Sequence, residues 1–147
     1  MAPSVRFSIH IFAPLSKVWN LLTDPAMIAK WMLEEPVEVI TSWKVGAPVI
    51  FRGKMSGKPF SDKGIVLAFE PGEVLRYSLL NEVSELPDIP SNYSVVEFLL
   101  RAEGTGTNLT LTHSNLVAEA AEPHAKFYWR TALAMIKQQL EGSVPSL

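Results

Sequence analysis

The chain has 147 residues, of which 48% are hydrophobic and 19% charged, with a formal net charge of -2. That length suits one domain with a real core, and the apolar fraction excludes a disordered chain. The near-neutral balance leaves no electrostatic footprint for nucleic acid, and the absence of cysteine excludes disulfides, thiolate metal sites and a thiol nucleophile. No apolar run approaches the roughly 20 residues of a membrane span. The opening residues Met1 to Arg6 lack a basic stretch followed by an apolar one, so the expected location is cytoplasmic.

Val5, Phe7, Ile9 and Ile11 alternate with Arg6, Ser8 and His10, which predicts a half-buried strand over 5–12. Pro14 suits the first turn of a helix, where its missing N–H has no partner to lose. Leu15, Val18, Trp19 and Leu22 then form an apolar stripe, with Trp19 expected in the core. Thr23-Asp24-Pro25 ends that helix and caps a second short one that closes at Trp31. From Pro36 the pattern turns to strands, at 37–40, 48–54, 63–70 and 74–80, punctuated by Gly46, Gly53, Gly57 and Pro71-Gly72.

Two longer strands follow at 93–103 and 107–115, linked by Gly104-Thr105-Gly106, whose glycines can supply the positive φ of a tight hairpin. The first would run about 36 Å, a length that belongs to a strongly curved sheet. Pro123 opens a final helix and Gly142 stops it. Trp129, Leu133, Ile136 and Leu140 lie on one face of it. The element order predicts an α+β fold: a curved antiparallel sheet of six to seven strands around one long helix, in a single domain over 1–147. Parity turns Phe51, Leu67, Phe69, Leu75, Tyr77, Leu79, Val96, Phe98, Leu100, Leu109 and Leu111 inward. It turns Arg52, Arg76, Glu97, Arg101 and Glu103 outward, an alternation of charge with no apolar patch.

A sheet wrapped round one helix leaves a gap where the two diverge, a natural small-molecule pocket. Trp31, Phe51, Phe69, Tyr77, Phe98, His113, Trp129 and Leu133 are the candidate ligand-binding residues. His113 shares parity with Leu109 and Leu111 and points inward; it is a ligand contact, a general base or a structural residue bonded to backbone. No carboxylate is spaced to orient it, which favours the structural role and a pKa below the free value of about 6.5. His10 faces outward and His124 lies in the first turn of the last helix, so the histidines predict no metal site and no cofactor. Trp43, before a glycine turn, is expected at the surface or at an entrance. Glu34 and Glu35 precede Pro36 and read as an exposed loop, and Asp88 with Asn92 as the ordering pair of a Pro-rich one. Gly104-Thr105-Gly106 lacks the helix and the Gly-Lys-Ser/Thr ending of a phosphate loop.

Several short motifs in this order resemble one family. They are Ala13-Pro14 with Val18-Trp19, Leu22-Thr23-Asp24-Pro25, Trp31, Trp43-Lys44-Val45-Gly46, and Gly64-Ile65-Val66-Leu67. Further on come Glu70-Pro71-Gly72 with Leu75, the run from Pro87 to Tyr93, the run from Gly106 to His113, and Trp129 with Leu133 and Lys137. Together they resemble the SRPBCC (START-like, Bet v 1-like) superfamily, in the branch of the Hsp90-ATPase-activator C-terminal domain and the calicheamicin resistance protein. The resemblance implies a helix-grip fold over nearly the whole chain. Members include lipid and hormone carriers, aromatic polyketide cyclases, a self-sacrificing antibiotic-binding protein and a co-chaperone domain. The expected function is therefore binding of an apolar or aromatic small molecule in an internal cavity. The alternatives are a cyclase/dehydratase-like enzyme, or an Hsp90-activator-like module with a protein partner.

Overall fold

The computed structural model describes residues 2–142. Strand β1 (Val5–Ile11) is followed by helices α1 (Leu15–Thr23) and α2 (Pro25–Ile28). Strands β2 (Val37–Thr41), β3 (Pro48–Met55), β4 (Lys58–Glu70), β5 (Val74–Leu79), β6 (Ser94–Glu103) and β7 (Gly106–Ser114) come next, then helix α3 (Ala121–Glu141). All seven strands form one antiparallel sheet in the order β1-β7-β6-β5-β4-β3-β2, so the chain's first and last strands pair and β1 and β2 are the edges. The predicted α+β helix-grip architecture is the observed one.

Local chemistry explains the boundaries. Asp24 accepts a hydrogen bond from the Ala26 N–H and Pro25 occupies the first position of α2, two devices that start a helix at a fixed residue. Pro14 instead sits just before α1, with an extended backbone. Helix α3 begins at Ala121, two residues ahead of Pro123, and ends where Gly142 takes a φ of 76°. Between β6 and β7 the hairpin loop is two residues, with Glu103 paired to Gly106. Only Gly104 has positive φ; Gly106 is small for another reason, since a Cβ there would come within 2.3 Å of the Ile11 carbonyl oxygen.

Two strand readings change. Strand β4 starts at Lys58, five residues before the apolar alternation begins, and its thirteen residues make it longer than β6. Lys58 to Asp62 carry little apolar signal, yet the tight Ser56-Gly57 turn sets their pairing with β3, both residues having positive φ. The second change is a β-bulge between Val66 and Ala68. Val66 pairs with Tyr77 and Phe69 with Leu75, so the residues on either side of the bulge face inward while Leu67 is the extra one. Leu67, expected inside, is 41% exposed, and Val66 takes its place in the core.

The bulge also alters the outer face. Ile40 on β2 lies opposite Ile50 on β3, Pro48 opposite Ile65 on β4, and Leu67 continues the line. Ile40, Ile65 and Leu67 are exposed, so this end of the outer face carries an apolar strip, contrary to the expected run of charges. The charged alternation holds on β5 and β6, where Arg76 donates from Nε to Glu97 at 2.7 Å.

Candidate functional site

The inner face is laid out in rows across neighbouring strands. Leu75, Phe98 and Leu111 form one row, Tyr77, Val96 and His113 the next, and Leu79 and Ser94 the row nearest the sheet's end. Helix α3 lies over these rows with Trp129, Ala132, Leu133 and Ile136 buried against them. Leu140 is only half-buried at the far end. Of the eight sequence-predicted site residues, seven are buried, and Phe69 is half-buried.

Their rings close on one another. Trp31, Phe98 and Trp129 meet at centroid distances of 5.7–6.3 Å, and the His113 ring stands edge-on to Trp129 at 6.1 Å. A second group forms where Phe51 contacts Tyr77 at 5.5 Å and Trp43 contacts both Phe69 and Tyr77. The expected wall residues thus fall into two aromatic groups, with Tyr77 of one and His113 of the other on either side of Val96 in the same row. Large planar side chains opposite each other across a narrow gap gain dispersion energy by closing it.

Trp43 and Trp19 both depart from their expected surroundings. Trp43 is half-buried, donates from its indole nitrogen to the Thr23 carbonyl at 2.7 Å and stacks on Phe69. Trp19 is also only half-buried, its ring against the edge of Phe69 at 5.2 Å. Glu35, expected in an exposed loop, is half-buried with one carboxylate oxygen enclosed and unpartnered. Asp88 and Asn92 do order their loop: Asp88 accepts from the Tyr93 hydroxyl and pairs with Lys63, and the Asn92 amide donates to the Pro87 carbonyl.

The polar groups of the interior are few, and their protons can be assigned. The Trp129 indole N–H, which only donates, points at Nδ1 of His113 at 3.0 Å. Nδ1 is therefore the acceptor and Nε2 carries the proton, directed at Oγ of Ser94 at 2.8 Å. Ser94 in turn donates to the Leu79 carbonyl at 3.1 Å. Desolvation in this setting pushes the His113 pKa down from 6.5 to about 4, so the ring is neutral at neutral pH. With both nitrogens engaged, it presents no free lone pair to a substrate. Tyr77 is equally enclosed, and burial drives its hydroxyl pKa far above the ordinary value.

Ser94 was not singled out by the sequence, in which one serine at a strand's start carries no signal. It lies at the boundary between this interior and a cavity of about 40 Å³ at the sheet's end, lined by Leu79, Leu80, Ser84, Ser94, Asn115 and Leu116 among others. A larger groove, of about 270 Å³, lies on the outer face between Arg6, Ser8, Leu99, Arg101, Asn108 and Thr110. Neither is lined by any of the eight expected residues. Among the described residues no cluster of three or more metal-capable side chains occurs, and no helix is long and apolar enough to cross a membrane.

A seven-stranded antiparallel sheet gripping one long helix, with an aromatic concave face, defines a helix-grip protein of the SRPBCC type. The chain belongs to the family described as Activator of Hsp90 ATPase homolog 1-like protein, which matches residues 12–141. It is similar to the solution structure of ChR145 from Cytophaga hutchinsonii, at 33% identity and a TM-score of 0.82, over 98% of this chain and 97% of that one. CalU16 from Micromonospora echinospora is 27% identical with a TM-score of 0.70, over 99% of this chain and 78% of that one. The Aha1 dimer from Colwellia psychrerythraea shares the fold at 20% identity and a TM-score of 0.75, over 95% and 97% of the two chains. No curated protein matches the chain in sequence.

Proposed function

We propose that this is a cytoplasmic binding domain for an apolar, aromatic small molecule, taken up between the sheet and α3 along the Val96 row. Trp31, Phe51, Phe69, Tyr77, Phe98, His113, Trp129 and Leu133 supply the walls. The observation that carries the reading is the concave face itself, where Trp31, Phe98 and Trp129, and beside them Phe51 and Tyr77, form buried aromatic walls between sheet and helix. Large aromatic walls with few polar groups suit a flat apolar ligand. Family membership supports the reading at the level of fold, because helix-grip proteins hold ligands in this position. The packed rings describe a closed state, and a ligand binds by parting the two aromatic groups. His113 acts as wall and not as base, since both its nitrogens are engaged.

The test is an NMR titration with 2-naphthol. The indole N–H signals of Trp31 and Trp129 and the ring signals of Tyr77 are expected to shift, with Arg52, Arg76 and Arg101 unmoved. Shifts confined to the outer arginines would overturn the internal site.

A second reading, a protein-interaction module, has its own observation in the exposed strip Ile40, Ile65 and Leu67. An apolar strip beside an unpaired edge strand suits a partner surface, and the related Colwellia protein is described as a dimer. Sedimentation of the protein and of its Leu67→Lys variant decides this: the reading requires an associated species that the substitution abolishes.

A further inference from the structure

The proton assignments at the mouth of the interior carry a statement about ligand chemistry. Ser94 Oγ gives its only proton to the Leu79 carbonyl and accepts one from His113 Nε2. A hydroxyl oxygen has two acceptor positions, so one remains, and no proton remains with it. The direction of the chain is set at its other end, because the Trp129 indole nitrogen has no acceptor capacity and holds His113 in the Nε2–H tautomer. Ser94 is consequently an acceptor and not a donor for whatever enters beside it.

The other polar groups round the same cavity are mostly engaged in holding its loops. Asn115 uses its amide N–H groups on the Ser91 and Tyr93 carbonyls, at 3.0 and 2.8 Å. Asn92 donates to Pro87, Asn81 to Asp62, and the Ser84 hydroxyl to the Asn81 carbonyl. These bonds hold the loop between β5 and β6 and the turn after β7. Leu79, Leu80 and Leu116 supply the apolar remainder of the wall.

We infer that Ser94 is the specificity-determining residue of the pocket, selecting an apolar aromatic ligand that carries a hydrogen-bond donor, an O–H or N–H, over the same ligand capped as an ether. The inference rests on the internal-binding reading above and adds the polar group the ligand must bear. An ether brought to the same place sets its oxygen against an oxygen, and both lose their water without replacement. The cavity of about 40 Å³ admits a group of hydroxyl or amino size, while the ring system lies deeper along the Val96 row.

The Ser94→Ala variant makes the claim specific. It removes the acceptor and leaves His113 Nε2–H without its partner, so the mouth changes from accepting to donating. Calorimetric titrations with 2-naphthol, 2-methoxynaphthalene and 2-acetonaphthone, on the protein and on the variant, read this out. The protein is expected to bind 2-naphthol about tenfold or more tightly than 2-methoxynaphthalene. In Ser94→Ala that preference disappears, and 2-acetonaphthone, which only accepts, gains on both. The His113 and Trp129 NMR signals of the variant confirm that it is folded. Equal affinity for alcohol and ether in the unsubstituted protein, or an unchanged preference in Ser94→Ala, overturns the inference and leaves internal binding standing. Failure of all three naphthalenes to bind either protein overturns both.

Discussion

The indole of Trp129, on α3, donates to Nδ1 of His113, on β7, and this one bond joins the helix to the sheet and decides which nitrogen of the imidazole carries the proton. It is a cross-layer contact between two residues sixteen positions apart, made in a region where nearly every other contact is apolar. Its direction runs on through Ser94 to the Leu79 carbonyl, so helix, β7, β6 and β5 are tied in sequence by three hydrogen bonds. A chain of this kind fixes side-chain positions that packing alone leaves free to slide.

Acid should weaken the fold through His113. Its folded pKa of about 4 lies below the ordinary value of 6.5, because burial disfavours the charged ring. Between those two values the unfolded chain binds a proton that the folded one does not, so stability falls as pH drops from 6.5 towards 4. Above 6.5 the contribution is complete; the full difference is about 3 kcal/mol. Denaturant melts of the protein and of His113→Gln across this window should diverge, the substituted protein having the flatter profile. Parallel profiles would show that His113 titrates normally.

Replacing Leu133 by Ala should cost about 2–5 kcal/mol, the range for deleting a packed aliphatic side chain. Leu133 is 3% exposed, one turn beyond Trp129 on the face that meets the sheet. Urea unfolding measures the loss. A change under about 1 kcal/mol would place Leu133 beside an open void in place of packed core.

The helix-grip order was legible because each element announces itself by period: two in β1, β5 and β6, and three-to-four in α1 and α3. What was not legible has a common cause, which is that backbone geometry left no side-chain pattern. Leu67 continues the alternation of its strand in sequence, and only the bulge beside it turns it outward. The start of β4 is set by the Ser56-Gly57 turn and not by apolar residues. For the site, strand parity and helix periodicity placed His113 and Trp129 on facing surfaces, but their hydrogen bond depends on side-chain reach across two layers. Ser94 and the half-buried stack of Trp43 on Phe69 followed from tertiary closeness alone.

Two glycine substitutions should separate crowding from backbone strain. An alanine Cβ at Gly64 would stand 1.6 Å from the Ser78 carbonyl oxygen, backbone of the neighbouring strand that has no freedom to move aside. Gly64→Ala should therefore lose more than about 4 kcal/mol or fail to accumulate as folded protein. At Gly57 nothing lies within 4 Å, and the only penalty is its positive φ of 80°, about 1–2 kcal/mol. Thermal melts of both variants test the contrast, and equal losses would contradict the close approach at Gly64.

Trp129→Phe should raise the pKa of His113. Phenylalanine keeps a ring against Phe98 and Trp31 but has no N–H, so Nδ1 becomes a buried acceptor without a donor. That costs about 1–3 kcal/mol on its own account. The lost bond was made to the neutral imidazole, and removing it leaves protonation less unfavourable, which moves the pKa up from about 4 towards 6.5. It also frees the ring from its single tautomer, which ¹⁵N chemical shifts of the imidazole report directly. Leu133→Ala is the control, because it removes packing of similar worth one turn away and takes no hydrogen bond from His113. An unaltered pKa and tautomer in Trp129→Phe would mean that burial alone governs His113, with the indole as a spacer. A rise confined to Trp129→Phe assigns the proton's position to the helix.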